Sequence, residues 1–135
     1  MHKLFSVFQW VLILSLFACS SSSQAQYTTK KKKAIANYVE GIKHARLYNF
    51  QSAILSFTKA LEIESEFIEA HLNLGDVYMQ QKDFEKAAQS YTSAIAIDPT
   101  FKPTTYMQLA SVELRLAQYD KALEHLKLLK ETGTI

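Results

Sequence analysis

The chain has 135 residues, which is enough for one small domain with a modest core. Almost half of the residues (48%) are hydrophobic, and only three glycines and two prolines are available to interrupt regular structure, so an all-helical protein is favoured over a many-stranded sheet. Fifteen basic and thirteen acidic residues leave a formal charge of +2, so the chain lacks the broad positive field that nucleic-acid binding requires.

The amino terminus has the pattern of an export signal. A short basic start at Lys3 precedes an apolar run over residues 4–18, which is shorter than the roughly 20 residues that a helix needs to span a bilayer. We therefore predict that residues 1–25 comprise a signal peptide and a Ser-rich tether that precede the folded domain.

Two processing sites compete in this segment. Residues 16–19, Leu-Phe-Ala-Cys, resemble a bacterial lipobox, in which the thiol of Cys19 is acylated and residues 20–23 become a flexible tether. Cys19 is the chain's only cysteine and lies where the apolar run ends, which favours the lipobox. The alternatives are cleavage by an ordinary signal peptidase before Gln26 and, third, an uncleaved anchor helix. The expected location is the outer membrane, facing the periplasm, with a soluble periplasmic form as the alternative.

Residues 26–33 are predicted to be a Lys-rich linker to the folded part of the chain. The run from Lys30 to Lys33 is the only dense cluster of charge in the sequence. So short a basic run is typical of a solvated linker or of the first turn of a helix, and a phosphate-binding role is the alternative.

From residue 34 onward the sequence repeats itself. Gly41 and Gly75 are 34 residues apart, and so are Phe57 and Tyr91, whereas a third copy follows at a spacing of 35 with its inserted residue in the Pro-containing stretch 98–103. The period defines three units, at residues 34–67, 68–101 and 103–135. In each unit a polar break separates two apolar-periodic stretches, which predicts three helical hairpins with breaks at 47–49, 81–83 and 117–118.

The middle unit resembles the tetratricopeptide repeat family. It matches that family's pattern of a large residue, Leu-Gly, Tyr, Ala, an aromatic residue, Ala and Pro at His71, Leu74-Gly75, Tyr78, Ala87, Tyr91, Ala94 and Pro99. The outer units keep part of the pattern, with Glu40 and His44 replacing Leu and Tyr in the first and Ala110 replacing Gly in the third. The resemblance covers residues 34–135 and implies an all-α fold, a right-handed α-solenoid of three helical hairpins.

The resemblance also implies where a partner would bind. In this family the first helices of the hairpins line a groove, whose positions correspond here to Tyr38, Ile42, Arg46, Leu72, Asp76, Met79, Met107, Ser111 and Arg115. The apolar members would either supply adaptable contact area or pack in the core, and the charged members would orient a peptide through charge-assisted hydrogen bonds.

The family's clamp for a C-terminal carboxylate, built from Lys, Asn and Arg residues, is largely missing. Only Asn73 falls at a clamp position, whereas Tyr38 and Ile42 occupy the positions of the Lys and of the second Asn. We therefore do not expect an adaptor for chaperone tails.

The sequence offers no defensible catalytic or metal site. The four histidines do not fall at ligand spacing with one another or with a cysteine. Glu62, Glu64 and Glu66 are better explained as the polar end of a helix than as an acid–base pair. Without a Gly-rich phosphate loop or a nucleophile elbow, we expect no cofactor, no metal and no enzymatic activity.

The expected function is a non-catalytic protein–protein interaction scaffold of the bacterial cell envelope, with a protein or peptide as its partner. An alternative is the amino-terminal docking arm of a larger peptidoglycan-tethered or secretion-associated protein. The order of signal segment, Lys-rich stretch and three repeats resembles the front of envelope proteins that continue into a β-propeller and a peptidoglycan-binding domain. An enzyme is the least favoured reading. Membrane contact is expected only through a lipid on Cys19, and nucleic acid is not an expected partner.

Overall fold

The computed structural model describes residues 26–132, so the predicted signal segment and Cys19 lie outside the described residues. Within that range the chain forms six α-helices and no strand: α1 (Lys32–Arg46), α2 (Phe50–Ile63), α3 (Ile68–Gln80), α4 (Phe84–Ile97), α5 (Thr104–Arg115) and α6 (Tyr119–Glu131). Helices α1 and α2, α3 and α4, and α5 and α6 pack as hairpins, which stack through α2 on α3 and α4 on α5. The predicted all-α solenoid of three hairpins is confirmed. None of these described helices combines the length and apolar composition needed to cross a membrane.

The same helix ending closes each hairpin. Tyr48, Lys82 and Ala117 adopt positive φ angles of 58°, 61° and 56°, and all three lie in the polar breaks that the sequence predicts. The next residue's N–H donates to a carbonyl five residues earlier at 3.0, 2.9 and 2.8 Å, in the pairs Asn49–His44, Asp83–Tyr78 and Gln118–Glu113. This is the Schellman motif, which satisfies carbonyls left free at the end of the first helix.

Two glycines let the helices of the first two hairpins approach closely. A Cβ atom at Gly41 would lie 2.6 Å from the ring of Phe57, and one at Gly75 would lie 2.7 Å from the ring of Tyr91. Both rings are fully buried, because each fills the space that its glycine leaves open.

The core consists of two apolar clusters, one at each junction between hairpins. The first centres on Phe57 and Phe67, and the second on Tyr91, Leu109 and Val112. Beyond the second cluster, α6 buries only two side chains, and its large apolar residues on the other sides stay exposed: Leu123, Leu126 and Leu128.

The segment before α1 is docked on the domain, while the four lysines of the basic run, residues 30–33, stay exposed. The ring of Tyr27 contacts that of Phe67 with 6.0 Å between centroids. Lys31 pairs with Glu64 at 3.0 Å, just beyond the last residue of α2, where a cation is favourable. Helix α1 begins at Lys32, so the last two lysines of the basic run belong to its first turn.

Candidate functional site

The first helices of the three hairpins line two adjoining depressions. The α3–α5 pocket has a volume of about 630 Å³ and is lined by Asp76, Met79, Gln80, Tyr91, Met107, Gln108 and Ser111. The α1–α3 pocket has a volume of about 500 Å³ and is lined by Ile42, Ala45, Arg46, Tyr48, Asn73 and Gln80. Gln80 lines both pockets, and the two together form a continuous surface that we call the groove.

Six of the nine residues predicted to contact a partner line this groove. Four of them belong to the α3–α5 pocket, namely Asp76, Met79, Met107 and Ser111, and two belong to the α1–α3 pocket, namely Ile42 and Arg46. Ile42, Asp76 and Ser111 occupy one repeat position at spacings of 34 and 35 residues. Because equivalent hairpins stack, these three residues form a row that runs across the first helices, one residue on each of α1, α3 and α5.

Two of the nine predicted residues are core residues, so of the two roles expected for the apolar members they take core packing and not partner contact. Tyr38 is 8% exposed and lies against the rings of Tyr27, Phe57 and Phe67. Burial raises the pKa of the Tyr38 hydroxyl to about 12. Leu72 is 6% exposed and belongs to the cluster between the second and third hairpins.

The ninth residue, Arg115, lines neither pocket. Its guanidinium carbon lies 5.8 Å from the centroid of the Phe84 ring, in cation–π geometry. The side chain is exposed at the end of α5.

Asp76 is the polar centre of the α3–α5 pocket. The hydroxyl of Tyr91 donates to its Oδ1 at 2.6 Å, and Nε2 of Gln108 donates to the same oxygen at 3.0 Å. Gly75 makes this arrangement possible, because any side chain there would meet the Tyr91 ring. Burial, and then the hydrogen bond to Asp76, raises the pKa of Tyr91 far above its usual range, so this hydroxyl remains a neutral donor.

Sequence reasoning missed Gln108, which closes this network. Gln108 follows Asn73 by 35 residues, so both amides occupy the same repeat position. Each amide reaches back to the preceding first helix: Asn73 donates to the Tyr38 hydroxyl at 3.0 Å, and Gln108 donates to Asp76. The repeated amide is the signal that could have identified them. Asn73 also donates to a carbonyl of its own helix at 2.8 Å, so both protons of this clamp-position amide already have acceptors.

The histidines of the described chain make local contacts. His44 lies 3.3 Å from Glu40, His71 contacts the carbonyl of Ser65 at 2.9 Å, and His125 contacts Glu113 at 2.8 Å. Within residues 26–132 there is no group of three or more His, Cys, Asp or Glu side chains that could hold a metal ion.

Comparison with protein families and curated proteins finds similarity over part of the chain. The family model described as tetratricopeptide repeat matches residues 68–101. The human tetratricopeptide repeat protein 17 is 38% identical over 60 residues, which is 44% of this chain and 5% of the human protein. The Drosophila melanogaster protein O-mannosyl-transferase Tmtc3 is 33% identical over 72 residues, covering 45% of this chain and 8% of that protein. The chain thus spans less than a tenth of the curated relatives it matches.

Solved structures show the same fold over most of the chain. The crystal structure of MamA aligns with a TM-score of 0.72 at 24% identity, over 76% of this chain and 59% of MamA. The second TPR of Spaghetti (RPAP3), bound to the HSP90 peptide SRMEEVD, aligns with a TM-score of 0.69 at 17% identity, over 76% of this chain and 94% of that domain. At these identities the similarity concerns the fold alone.

Three observations indicate the same repeated helical hairpin: the glycine contacts, the equivalent Schellman turns and the family match to the middle unit. Residues 68–101 match the tetratricopeptide repeat family model, and their two helices, α3 and α4, are the middle hairpin of a three-hairpin solenoid with the fold seen in MamA and in the TPR of Spaghetti.

Proposed function

We propose that this protein is a non-catalytic interaction scaffold of the bacterial cell envelope, which binds an extended segment of a partner protein in the groove. The α3–α5 pocket carries the proposal. It joins exposed apolar area at Met107 with the oriented carboxylate of Asp76 and the hydroxyl of Ser111, a combination suited to holding a peptide. Related folds support a peptide as the ligand, since the Spaghetti domain is bound to the peptide SRMEEVD.

The envelope location rests on the amino-terminal sequence. An apolar run of export-signal length ends at Cys19, whose acylation would tether the domain to the outer membrane facing the periplasm. Mass spectrometry of the mature amino terminus tests this step. A diacylated Cys19 supports the lipoprotein, and an unmodified start at Gln26 supports the soluble periplasmic form instead.

Site-specific photo-crosslinking in cells tests the groove. In the full-length chain, p-benzoylphenylalanine replaces Met107 in the pocket or, as a matched control, Thr58, which is exposed on α2 and lines neither pocket. We expect a discrete crosslinked partner from position 107 only. Adding Ser111→Arg should remove that adduct, because the larger side chain fills the pocket. Equal labelling at both positions, or labelling at position 58 alone, would place the interaction outside the groove.

A docking arm of a larger peptidoglycan-tethered protein is the second candidate. One observation favours it: Leu126 occupies the repeat position of Phe57 and Tyr91, which are fully buried, yet is itself 37% exposed. Another polypeptide packed on α6 would complete this position. p-Benzoylphenylalanine placed at position 126 should then crosslink to a peptidoglycan-associated protein. If no such protein is found in the crosslinked material, the docking-arm candidate is contradicted.

A further inference from the structure

Resting on the proposed function, we propose that the α3–α5 pocket recognises a basic side chain, lysine or arginine, in the bound segment, with the carboxylate of Asp76 as its counter-charge. Met79 and Met107 would pack beside the aliphatic part of that side chain.

No cationic side chain among residues 26–132 forms an ion pair with the carboxylate of Asp76. Its two hydrogen-bond donors, the hydroxyl of Tyr91 and the amide of Gln108, are both uncharged. Among residues 26–132, every ion pair involves other carboxylates: Glu64, Glu40, Asp83 and Glu113. Both internal donors converge on Oδ1, and no donor within the described chain reaches Oδ2. The carboxylate is therefore held in place while one oxygen stays available to a ligand.

Gln108 adds a second unsatisfied acceptor at the same site. Its Oε1 is buried and has no hydrogen-bond partner within the described residues. The amide cannot reverse at no cost, because a reversed amide would bring Oε1 against the Asp76 carboxylate. A buried acceptor without a donor is unfavourable, so the pocket is richer in acceptors than in donors beside Asp76.

The walls of the pocket suit a long side chain that ends in a cation. Met107 is 52% exposed and Met79 is partly buried, and flexible thioethers adapt to an aliphatic stem. An acidic side chain would be repelled by Asp76, and an apolar one would cover the carboxylate without pairing it, at a desolvation cost. Lysine and arginine avoid both penalties.

A positional-scanning library of synthetic decapeptides tests the proposal. It is applied to the full-length chain as wild type, as Asp76→Asn and as Asp120→Asn, a control with the same charge change on an exposed residue of α6. The wild type and the control should both select lysine or arginine at one peptide position. The Asp76→Asn variant should bind the selected basic peptides about 10- to 100-fold more weakly, the range expected for a hydrogen bond to a charged group. Binding of their norleucine-substituted versions should change less than about twofold. Comparing lysine with arginine at that position identifies which cation is preferred.

A second variant keeps the test valid if Asp76→Asn perturbs the network that positions Tyr91. Ser111→Lys leaves that network intact and places a competing ammonium group in the pocket. It should reduce binding of the basic peptides while leaving circular dichroism and thermal unfolding unchanged.

Three outcomes overturn the proposal and separate it from the proposed function. If peptides bind in the groove without a preference for lysine or arginine, the cation site is refuted and peptide binding stands. The same conclusion follows if the wild type prefers a basic residue and both the Asp76→Asn and the Ser111→Lys variants keep that preference. If no peptide binds the wild type better than the Ser111→Arg variant, the groove is not a peptide site and both proposals fail.

Discussion

Replacing Gly75 by alanine should destabilise the protein, although alanine is the better helix former. Gly75 lies inside α3, where the change to alanine would ordinarily stabilise the fold by about 1 kcal/mol. Here, however, the new methyl group would lie 2.7, 2.9 and 3.0 Å from three atoms of the Tyr91 ring. That ring is 2% exposed, and its hydroxyl is held by Asp76 at 2.6 Å, so it has little room to move.

The structure sets the expected magnitude. Overpacking of this kind costs about 1–3 kcal/mol, and loss of the hydrogen bond to the Asp76 carboxylate adds about 1.5–3 kcal/mol if the ring is displaced. After subtracting the helix-propensity gain of about 1 kcal/mol, we expect the free energy of unfolding to fall by about 1.5–5 kcal/mol. For a domain of this size, each kcal/mol lowers the melting temperature by about 4–8 °C, which thermal unfolding followed by circular dichroism resolves readily.

Gly41→Ala is the matched control. Its methyl group would meet the ring of Phe57 at 2.6 Å, with the same overpacking but no hydroxyl to displace. The difference between the two variants therefore reports the Tyr91–Asp76 hydrogen bond. Adding Tyr91→Leu should relieve the Gly75→Ala clash, so the double variant should be more stable than the sum of the single effects. A Gly75→Ala protein as stable as the wild type would refute the close approach.

Three further predictions concern other parts of the fold. The raised pKa of Tyr38 means that folding favours its neutral hydroxyl, so its contribution to the free energy of unfolding is complete below pH 10 and is lost as the pH rises towards 12. Tyr38→Phe should therefore reduce the loss of stability that urea titrations measure between pH 10 and pH 12. Leu129→Ala should cost about 2–5 kcal/mol in thermal unfolding because the side chain is 2% exposed, whereas Leu126→Ala, at 37% exposure, should cost about 1 kcal/mol or less. Glu113→Ala should cost about 1–3 kcal/mol and speed hydrogen exchange in α6, because it removes the buried partner of His125, and Glu113→Gln should cost less.

The solenoid was predictable because its determinants are local and recur. The glycine at residue 75 and the polar break at residues 81–83 each have a counterpart 34 residues earlier. Each also has a structural consequence, a close helix approach in one case and a Schellman turn in the other. Period and turn chemistry therefore locate the hairpins without knowledge of the tertiary contacts.

Burial at the groove was less predictable, because it depends on the neighbouring hairpin. Tyr38, Leu72 and Met107 share one repeat position, yet the first two are less than 10% exposed and the third is 52% exposed. Tyr38 is covered partly by Tyr27, from a segment that composition alone suggests is a solvated linker. A repeat position identifies the face of a helix, and what packs against that face is a tertiary property.

The two junctions between first helices show how divergent repeats turn a packing position into a site. At the α1–α3 junction the amide of Asn73 ends on a buried, neutral tyrosine hydroxyl, so the contact serves packing. At the α3–α5 junction the equivalent amide of Gln108 ends on Asp76, a carboxylate that lines an open pocket. The position of Asp76 carries Ile42 in the first hairpin and Ser111 in the third, so only the middle hairpin places a charge there. A substitution that moved the acidic group by one repeat, Ile42→Asp with Asp76→Ile, should therefore remove any preference for a basic side chain at the α3–α5 pocket, and it should also lower stability because Tyr91 and Gln108 lose their acceptor.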